Sequence, residues 1–415
     1  MEVWKKNLSA LAVLIFISNA GLTSVLPFLP FYVRAVGVPH GQSLEFWSSI
    51  IYSISFVFIC LMAPVFGMIG DRYGHKLNFM LKISYRVFPI FLAVISISGC
   101  GEKSYKETKL LMDTVCEITV ISPDKTPAQI SIDKAFKEIE RIDSLCGYGK
   151  NSQVSQINKN AGIKPVVVDK ELFNLIEESI KISDLTGGAF DITVGPLGSL
   201  WGFNNSNLRL PASGEIKKVL PLVNYKNVII NKDKSTVFLL KPGMKIDLGG
   251  IAKKYSLRMV IKKLKENGIK KAMVNLGGDI QVMGGAFKGR PWKIGLQHPR
   301  KPGELVTVFR FNDKTIISSG DYERCFFVNG VRYHHIFDPR TGNPAKGIIS
   351  ATILTDGPIA ADAMATAVFA LGVKRGLEII KTIPDTEALI ISETNKGTVV
   401  TLTDGLKKMK LEYNY

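Results

Sequence analysis

The protein has 415 residues, and its 53 Lys and Arg against 36 Asp and Glu give a formal net charge of +17. Hydrophobic residues make up 46% of the chain, which is enough to bury a large core and excludes a disordered tail or a small disulfide-stabilised module. The lysines occur as scattered pairs rather than as one basic arm interleaved with aromatic residues, so we expect no nucleic acid partner.

The first 100 residues have the composition of a membrane segment. Two runs, residues 8–33 and 46–70, contain no charged side chain. Each run exceeds the roughly 20 residues that span the hydrocarbon of a bilayer, so both predict transmembrane helices. Residues 67–76 resemble the loop between the second and third helices of major facilitator superfamily transporters. We therefore interpret residues 1–81 as a truncated transporter-like segment.

A third apolar run, residues 87–97, is too short to span a bilayer reliably but has the length of the core of a secretory signal. Residues 82–100 resemble a bacterial lipoprotein signal in which Cys100 carries the lipid, and a third membrane helix is the alternative. Basic residues mark the cytoplasmic ends of membrane segments. Residues 101–415 are therefore expected on the periplasmic side of the bacterial cytoplasmic membrane, anchored by lipid or by helices.

Residues 101–415 predict one α+β domain, because apolar residues recur there with the periods of both strands and helices. The predicted elements, in chain order, are a strand over residues 110–122, helices over 130–145 and 170–186, a hairpin over 228–240, a strand over 245–248, a helix over 251–267, a strand over 272–276, a pair of strands over 315–328 and 331–338, and a helix over 360–371.

Glycine-rich clusters place charged residues where packing alone would favour apolar ones. Asp191 lies in an otherwise apolar stretch bounded by glycines, and Asp279 follows the glycine pair that ends a predicted strand. Asp247, another glycine pair and Lys253 lie around the start of a predicted helix. Free backbone N–H groups and a lysine at a helix start suit a phosphate. A glycine turn with a surface lysine would give the same pattern.

The pair of strands over residues 315–338 is joined by Asn-Gly at positions 329–330, a strong signal for a two-residue hairpin turn. In the register that this turn sets, Arg324 faces His335, and Asp321 faces Asp338. Two facing carboxylates beside an arginine and a histidine are typical of a functional site. A solvated hairpin end is the alternative.

The helix predicted over residues 360–371 carries Asp362 and Thr366 four residues apart on one face, among alanines. A carboxylate and a hydroxyl are hard oxygen ligands, which suit Mg²⁺ better than zinc. Magnesium also keeps waters and binds phosphate oxygens. The alternative is a buried Asp that caps a loop and a Thr that bonds its own helix.

Six motifs in order resemble the FAD:protein FMN transferases, the ApbE family of lipoproteins, over residues 105–410. The motifs are GGxFDxTVGPL, DLGGIAK, NLGGD, SGDYER, HIxDPRTG and ADAxATA. The resemblance implies a mixed-sheet, T-fold-like flavin transferase domain. It also implies magnesium-dependent transfer of the FMN half of FAD to a Thr or Ser hydroxyl of a partner flavoprotein, with AMP leaving.

The resemblance also implies roles for individual residues. His335 matches the active-site histidine, which would be a base for the incoming hydroxyl or a donor that orients a phosphate. Lys254 replaces the glycine that usually follows the motif's lysine. The other residues expected at the site are Asp321 and Asp338 in catalysis, Tyr148, Phe190, Asp191, Asp247, Lys253 and Asp279 at FAD, with Tyr148 on the flavin ring, and Gly250, Asp362 and Thr366 at the metal.

Two other functions remain open on the sequence alone. The same site could use water as the acceptor, which would make it an FAD pyrophosphatase that yields free FMN and AMP. The chain could also be an FAD-binding lipoprotein without catalytic activity. A metal on the pyrophosphate argues against simple binding, because cleavage of the pyrophosphate is what needs a cation there.

Overall fold

The computed structural model describes residues 102–149, 152–204, 207–356, 363–395, 397–409 and 412–413, together with Pro64 and Met68. The predicted signal, Cys100 and Asp362 lie outside these residues, as does nearly all of the predicted membrane runs. No helix within the described part of the chain is long and apolar enough to cross a membrane. Lys103–Tyr415 form one compact unit.

The unit alternates helices and strands, as the sequence predicts for an α+β domain. The helices are α1 (Lys125–Cys146), α2 (Gln153–Lys159), α3 (Lys170–Leu185), α4 (Gly195–Trp201), α5 (Ser213–Val219), α6 (Gly249–Glu266), α7 (Met364–Ile380) and α8 (Asp404–Lys408). The strands are β1 (Lys103–Leu111), β2 (Thr114–Ser122), β3 (Val166–Val167), β4 (Val228–Asn231), β5 (Thr236–Leu239), β6 (Ala272–Leu276), β7 (Asp279–Met283), β8 (Trp292–Gln297), β9 (Leu305–Phe311), β10 (Thr315–Gly320), β11 (Cys325–Val328), β12 (Val331–His334), β13 (Ile348–Thr355), β14 (Thr386–Thr394), β15 (Gly397–Leu402) and β16 (Glu412–Tyr413).

An eight-stranded sheet forms the centre of the unit, in the order β1-β2-β6-β7-β10-β13-β14-β15. Every strand pair in the described residues is antiparallel. This corrects the expected mixed sheet, because apolar alternation fixes the faces of a strand but not the direction of its neighbours. Strands β7 and β10 share only two residue pairs, Thr315 with Gln281 and Ile316 with Ile280. We call this narrow junction the seam.

Apolar side chains cover both faces of the first half of the sheet. Phe136 of α1 and Leu257 of α6 are fully buried with Ile118 of β2 in one cluster. Trp292 of β8 and Phe309 of β9 belong to a second cluster on the opposite face. Burial of one such side chain stabilises the fold by about 1.5–3 kcal/mol. This packing fixes α6, whose first turn carries part of the predicted site.

The strand predicted over residues 110–122 is confirmed from Thr114 onward as β2, but its first residues form the end of β1 and the turn between the two strands. Met112 and Asp113 have φ angles of 52° and 56°, and Leu111 pairs with Thr114 across this turn. Two consecutive left-handed residues form the turn type that joins antiparallel strands by two residues. Because apolar residues lie on both sides of the turn, the hydrophobic pattern does not indicate it.

The strand predicted over residues 315–328 is broken at positions 321–324. Its first part, β10, joins the central sheet and pairs with β13, whereas β11 and β12 form a separate hairpin. The register set by the Asn-Gly turn is confirmed for this hairpin, because Cys325 pairs with His334. The predicted facing of Asp321 and Asp338 is wrong, because the Asp321 N–H donates to Ile349 O in the direction of β13.

Two further predictions differ from the fold. Residues 245–248 pair with no strand in the described chain and lead directly into α6. The helix predicted over residues 360–371 is described from Met364, and it continues to Ile380 as α7 with a break at Gly372, whose φ is 79°. The remaining helix predictions are confirmed by α1, α3 and α6, and the predicted hairpin over residues 228–240 by β4 and β5.

Candidate active site

The start of α6 forms the glycine-rich part of the site. The Asp247 carboxylate accepts the N–H of Gly249 at 2.8 Å, which caps the helix start. The ring of Phe190 lies so close to Gly250 that a Cβ there would sit 3.1 Å from Phe190 Cε2. Glycine at this position therefore allows the ring and the helix start to meet. Phe190 itself is buried and supports the helix rather than presenting its ring to solvent.

The segment before α6 is held by side chains from the preceding helical region. Asn158 Oδ1 accepts the Ile246 N–H at 2.7 Å, and Asn158 Nδ2 donates to Ile246 O at 3.1 Å. The Tyr148 hydroxyl donates to the same carbonyl at 3.1 Å. Asn158 could not be predicted from the sequence, because its partner lies 88 residues away and no local motif marks it. These bonds replace the strand pairing that the sequence predicted here.

Tyr148 is 44% exposed beside this segment. Burial and the negative charge of Asp247 raise the pKa of its hydroxyl far above the usual value. The hydroxyl therefore stays protonated and keeps its hydrogen bond, while part of the ring remains accessible. An accessible ring with a fixed hydroxyl suits stacking on a flat aromatic ligand.

Lys253 follows in the second turn of α6 and is half-buried. Burial lowers the pKa of its ammonium, the charge of Lys254 lowers it further, and Asp279 and Glu323 act in the opposite direction. These neighbours show that the start of α6, the start of β7 and the 321–324 turn face one another. Glu323 was not singled out by the sequence analysis, because its neighbours depend on the break after β10.

Lys254 and Asp279 are both buried, at 5% and 2% exposure. Lys254 Nζ lies 3.5 Å from Asp279 Oδ2, and Asp279 Oδ1 accepts the Ser318 N–H at 3.1 Å. Both carboxylate oxygens of Asp279 are thus occupied within the fold. The direct contact of Asp279 with FAD stays a prediction.

His335 lies at the base of the hairpin, next to Arg324 as the register predicts. Its N–H donates to Arg324 O at 3.1 Å, and its Nδ1 lies 3.3 Å from the same oxygen. Burial, followed by the positive charge of Arg324, lowers the pKa of His335 to about 3. The imidazole is neutral at pH 7. Since a carbonyl only accepts, Nδ1 carries the proton and Nε2 has a free lone pair.

The loop that follows His335 is clamped on two sides. His334 Nε2 donates to Ala345 O at 2.9 Å, and its ring meets Phe369 of α7 edge-on at 5.5 Å. On the other side, the indole N–H of Trp201 donates to Gly342 O at 3.0 Å. These contacts fix the loop next to His335 on both sides, and a fixed surrounding is what a proton-transfer group requires.

Asp321 and Asp338 are each neutralised by arginines. Arg300 binds Asp321 through two bonds of 2.7 and 2.6 Å, and Arg332 lies 3.6 Å away. Arg340 binds Asp338 at 2.8 and 2.9 Å. Charge-assisted carboxylate–arginine pairs of this kind hold loops in place. The fold does not bring Asp321 and Asp338 together in one place, and their catalytic roles stay predictions.

Asp191 uses its carboxylate within its own turn. It accepts bonds from the Thr193 N–H at 2.7 Å, the Thr193 hydroxyl at 2.6 Å and the Tyr225 N–H at 2.9 Å. Burial raises its pKa, and these bonds oppose that effect. The geometry supports a structural contribution of Asp191, and its contact with FAD stays a prediction.

The donors predicted for magnesium fit a hard cation. Gly250 lies in the first turn of α6 and Thr366 in the first turn of α7, and Asp362 is outside the described residues. The set offers a carbonyl, a hydroxyl and a carboxylate, all of them oxygens that Mg²⁺ prefers. Within the described ranges, no group of three or more His, Cys, Asp and Glu side chains could hold a metal.

Comparisons with known proteins match the domain as a whole. A model described as the ApbE family matches residues 112–390. A protein of Klebsiella pneumoniae (strain 342) called FAD:protein FMN transferase is 31% identical over 314 residues, covering 75% of this chain and 96% of that protein. A protein of the same name from Treponema pallidum (strain Nichols) is 30% identical over 335 residues, covering 74% and 91%.

Solved structures resemble the chain over the same part. The ApbE protein from Thermotoga maritima matches with a TM-score of 0.68 and 35% identity, over 74% of this chain and 98% of that one. The flavin transferase ApbE from Vibrio cholerae matches with a TM-score of 0.67 and 28% identity, over 74% and 99%.

Proposed function

The chain belongs to the ApbE family, and we propose that it is an FAD:protein FMN transferase, which transfers the FMN half of FAD to a Thr or Ser hydroxyl of a partner flavoprotein and releases AMP. The observation that carries this proposal is the neutral His335, whose pKa is lowered by burial and in part by the charge of Lys253 near the start of α6. A base and a phosphate-binding helix start meet in a domain that is similar to FMN transferases over nearly their whole length.

FAD is placed by groups at the edges of this site. The accessible ring of Tyr148 offers a stacking surface for the flavin, and stacking on an aromatic side chain contributes about 1–3 kcal/mol per base in nucleic-acid proteins. Lys253 at the start of α6 supplies positive charge to the pyrophosphate, where the helix dipole acts in the same direction.

Magnesium would be held by the carbonyl of Gly250, Asp362 and Thr366. When bound, it supplies positive charge to the pyrophosphate oxygens. The residues of the chain hold the reacting groups in position. Phosphoryl-type transfer depends more on this positioning than on covalent catalysis by the protein.

His335 acts on the acceptor. The acceptor hydroxyl gives its proton to Nε2 of His335, and its oxygen forms a bond to the phosphorus of the FMN half. The bond from that phosphorus to the bridging oxygen breaks, and AMP leaves with this oxygen. A neutral imidazole is required for this step, which is why the lowered pKa of His335 matters.

The N-terminal part would hold this reaction at a membrane. We propose that the catalytic unit is anchored on the periplasmic side of the cytoplasmic membrane by a lipid on Cys100, which becomes the first residue when the signal over residues 82–100 is cleaved. Where the signal is retained, the helices of the transporter-like residues 1–81 and of residues 82–100 anchor it instead. Radiolabelled palmitate incorporated into the wild-type chain but not into Cys100→Ser would support the lipid anchor. Equal labelling of both would contradict it.

The full chain, incubated with FAD, Mg²⁺ and a flavoprotein subunit that carries a target Thr, should yield a fluorescent FMN-protein band and equimolar AMP. His335→Ala should lower the rate by about 10²–10⁴, with partial rescue by added imidazole, and Asp362→Ala should abolish the response to Mg²⁺. AMP release at the same rate without the acceptor would identify an FAD pyrophosphatase. FAD binding without AMP release would identify a binding protein.

A further inference from the structure

Two adjacent lysines at the start of α6 have different surroundings. Lys253 is half-buried, whereas Lys254 is buried and lies 3.5 Å from the carboxylate of Asp279. The same carboxylate accepts the N–H of Ser318 across the seam. Lys254 and Asp279 therefore form a buried ion pair at the point where β7 meets β10.

Lys253 lies within the electrostatic reach of this pair. Its pKa is lowered by burial and then by the charge of Lys254, and Asp279 raises it. Removing one member of a buried ion pair leaves a charge that the interior tolerates poorly. A lysine side chain is long and flexible. Without Lys254, the ammonium of Lys253 would turn toward Asp279 and away from a ligand.

Glu323 is the other carboxylate within reach of Lys253. It is exposed, so water and salt screen its attraction. Asp279 is the stronger competitor for Lys253, because it is buried and cannot be screened in this way.

We propose that Lys254 is a positioning residue that neutralises Asp279 and thereby keeps the ammonium of Lys253 available to the pyrophosphate of FAD. This inference rests on the proposed function, because FAD is its ligand. Lys254 touches no substrate and acts only through Asp279 and Lys253.

The test compares variants of the full chain by the FAD Kd, measured from flavin fluorescence. Lys254→Gln keeps a hydrogen-bond donor for Asp279 but removes the charge, so the Kd should rise about tenfold. Lys254→Arg restores the charge and should restore the affinity.

The matched control is Lys265→Gln, which removes an equal charge from an exposed position on the same helix and should leave the Kd unchanged. AMP release at saturating FAD should change much less than the Kd in Lys254→Gln. Unchanged affinity in Lys254→Gln, or equal weakening in Lys254→Arg, would overturn the inference. A wild-type chain that binds no FAD would instead overturn the proposed function.

Discussion

His335 shows how far single residues could be predicted. The Asn-Gly turn fixed its position opposite Arg324, and the structure confirms that position. The lowered pKa of His335 could not be predicted, because it depends on burial against groups that are distant in sequence. One of them is Phe203, whose ring lies 6.3 Å from that of His335. The same limit applies to Lys254, whose buried partner lies beyond a strand and a turn.

The lowered pKa of His335 makes the stability of the apoprotein depend on pH. The pKa is about 3 in the folded chain against 6.5 for the unperturbed group, so the unfolded chain binds the proton first. With respect to His335, the free energy of unfolding is highest above pH 6.5 and decreases as the pH falls toward 3. Between pH 7 and pH 5, the wild type should lose up to about 2 kcal/mol more than His335→Gln in urea unfolding. Equal losses would contradict the half-buried, neutral imidazole.

At the scale of elements, helices were predicted well and strand breaks were not. The helices have long amphipathic patterns, as in α1 and α6, and these patterns are local. β10 joins the central sheet, whereas β11 pairs with β12 in a separate hairpin. No local pattern in the sequence predicts which sheet a strand joins, so the break between β10 and β11 could not be predicted. Asp321 at this break is held by Arg300, a partner 21 residues away that only the fold brings close.

Two tryptophans allow the effect of the His335 loop on the rate of FMN transfer to be separated from the effect of general packing on stability. Trp201 and Trp292 are both buried, and each donates its indole N–H to a glycine carbonyl, at 3.0 and 2.9 Å. Replacing either by Phe leaves a carbonyl without its donor, so both variants should lose about 1–3 kcal/mol in urea unfolding.

Only Trp201→Phe should also slow FMN transfer, because Trp201 holds the loop that carries His335, and kcat should fall severalfold. Trp292 bonds Gly284 on the far side of the central sheet, so Trp292→Phe should keep the wild-type kcat under folding conditions. A similar fall of kcat in both variants would show that the clamp has no specific effect.

At the scale of the whole molecule, the predicted site draws on both halves of the central sheet. Lys253 and Asp279 belong to the half before the seam, and Thr366 and His335 come from parts of the chain after it. The α+β class was predictable from composition and pattern. The strand order was not, because β2 and β6 are neighbours although about 150 residues lie between them.

A ligand that contacts both halves should stabilise the unit as one cooperative body. FAD at 100 times its Kd should add about 2.7 kcal/mol to the free energy of unfolding in urea. At the same FAD concentration, a Lys253→Gln variant whose Kd is tenfold higher should gain only about 1.4 kcal/mol. Equal gains in both chains would exclude Lys253 from the FAD site.

Strand β1 is an edge strand, and it is also the first strand of the compact unit. Its pairing with β2 starts at Lys103 opposite Ser122 and closes at the turn after Leu111. Mechanical load on the preceding segment would act on these pairs one after another, beginning at Lys103. An N-terminal tether under tension would therefore peel β1 from the sheet at low force, and it would leave the strands that carry Asp279 and Ser318 in place.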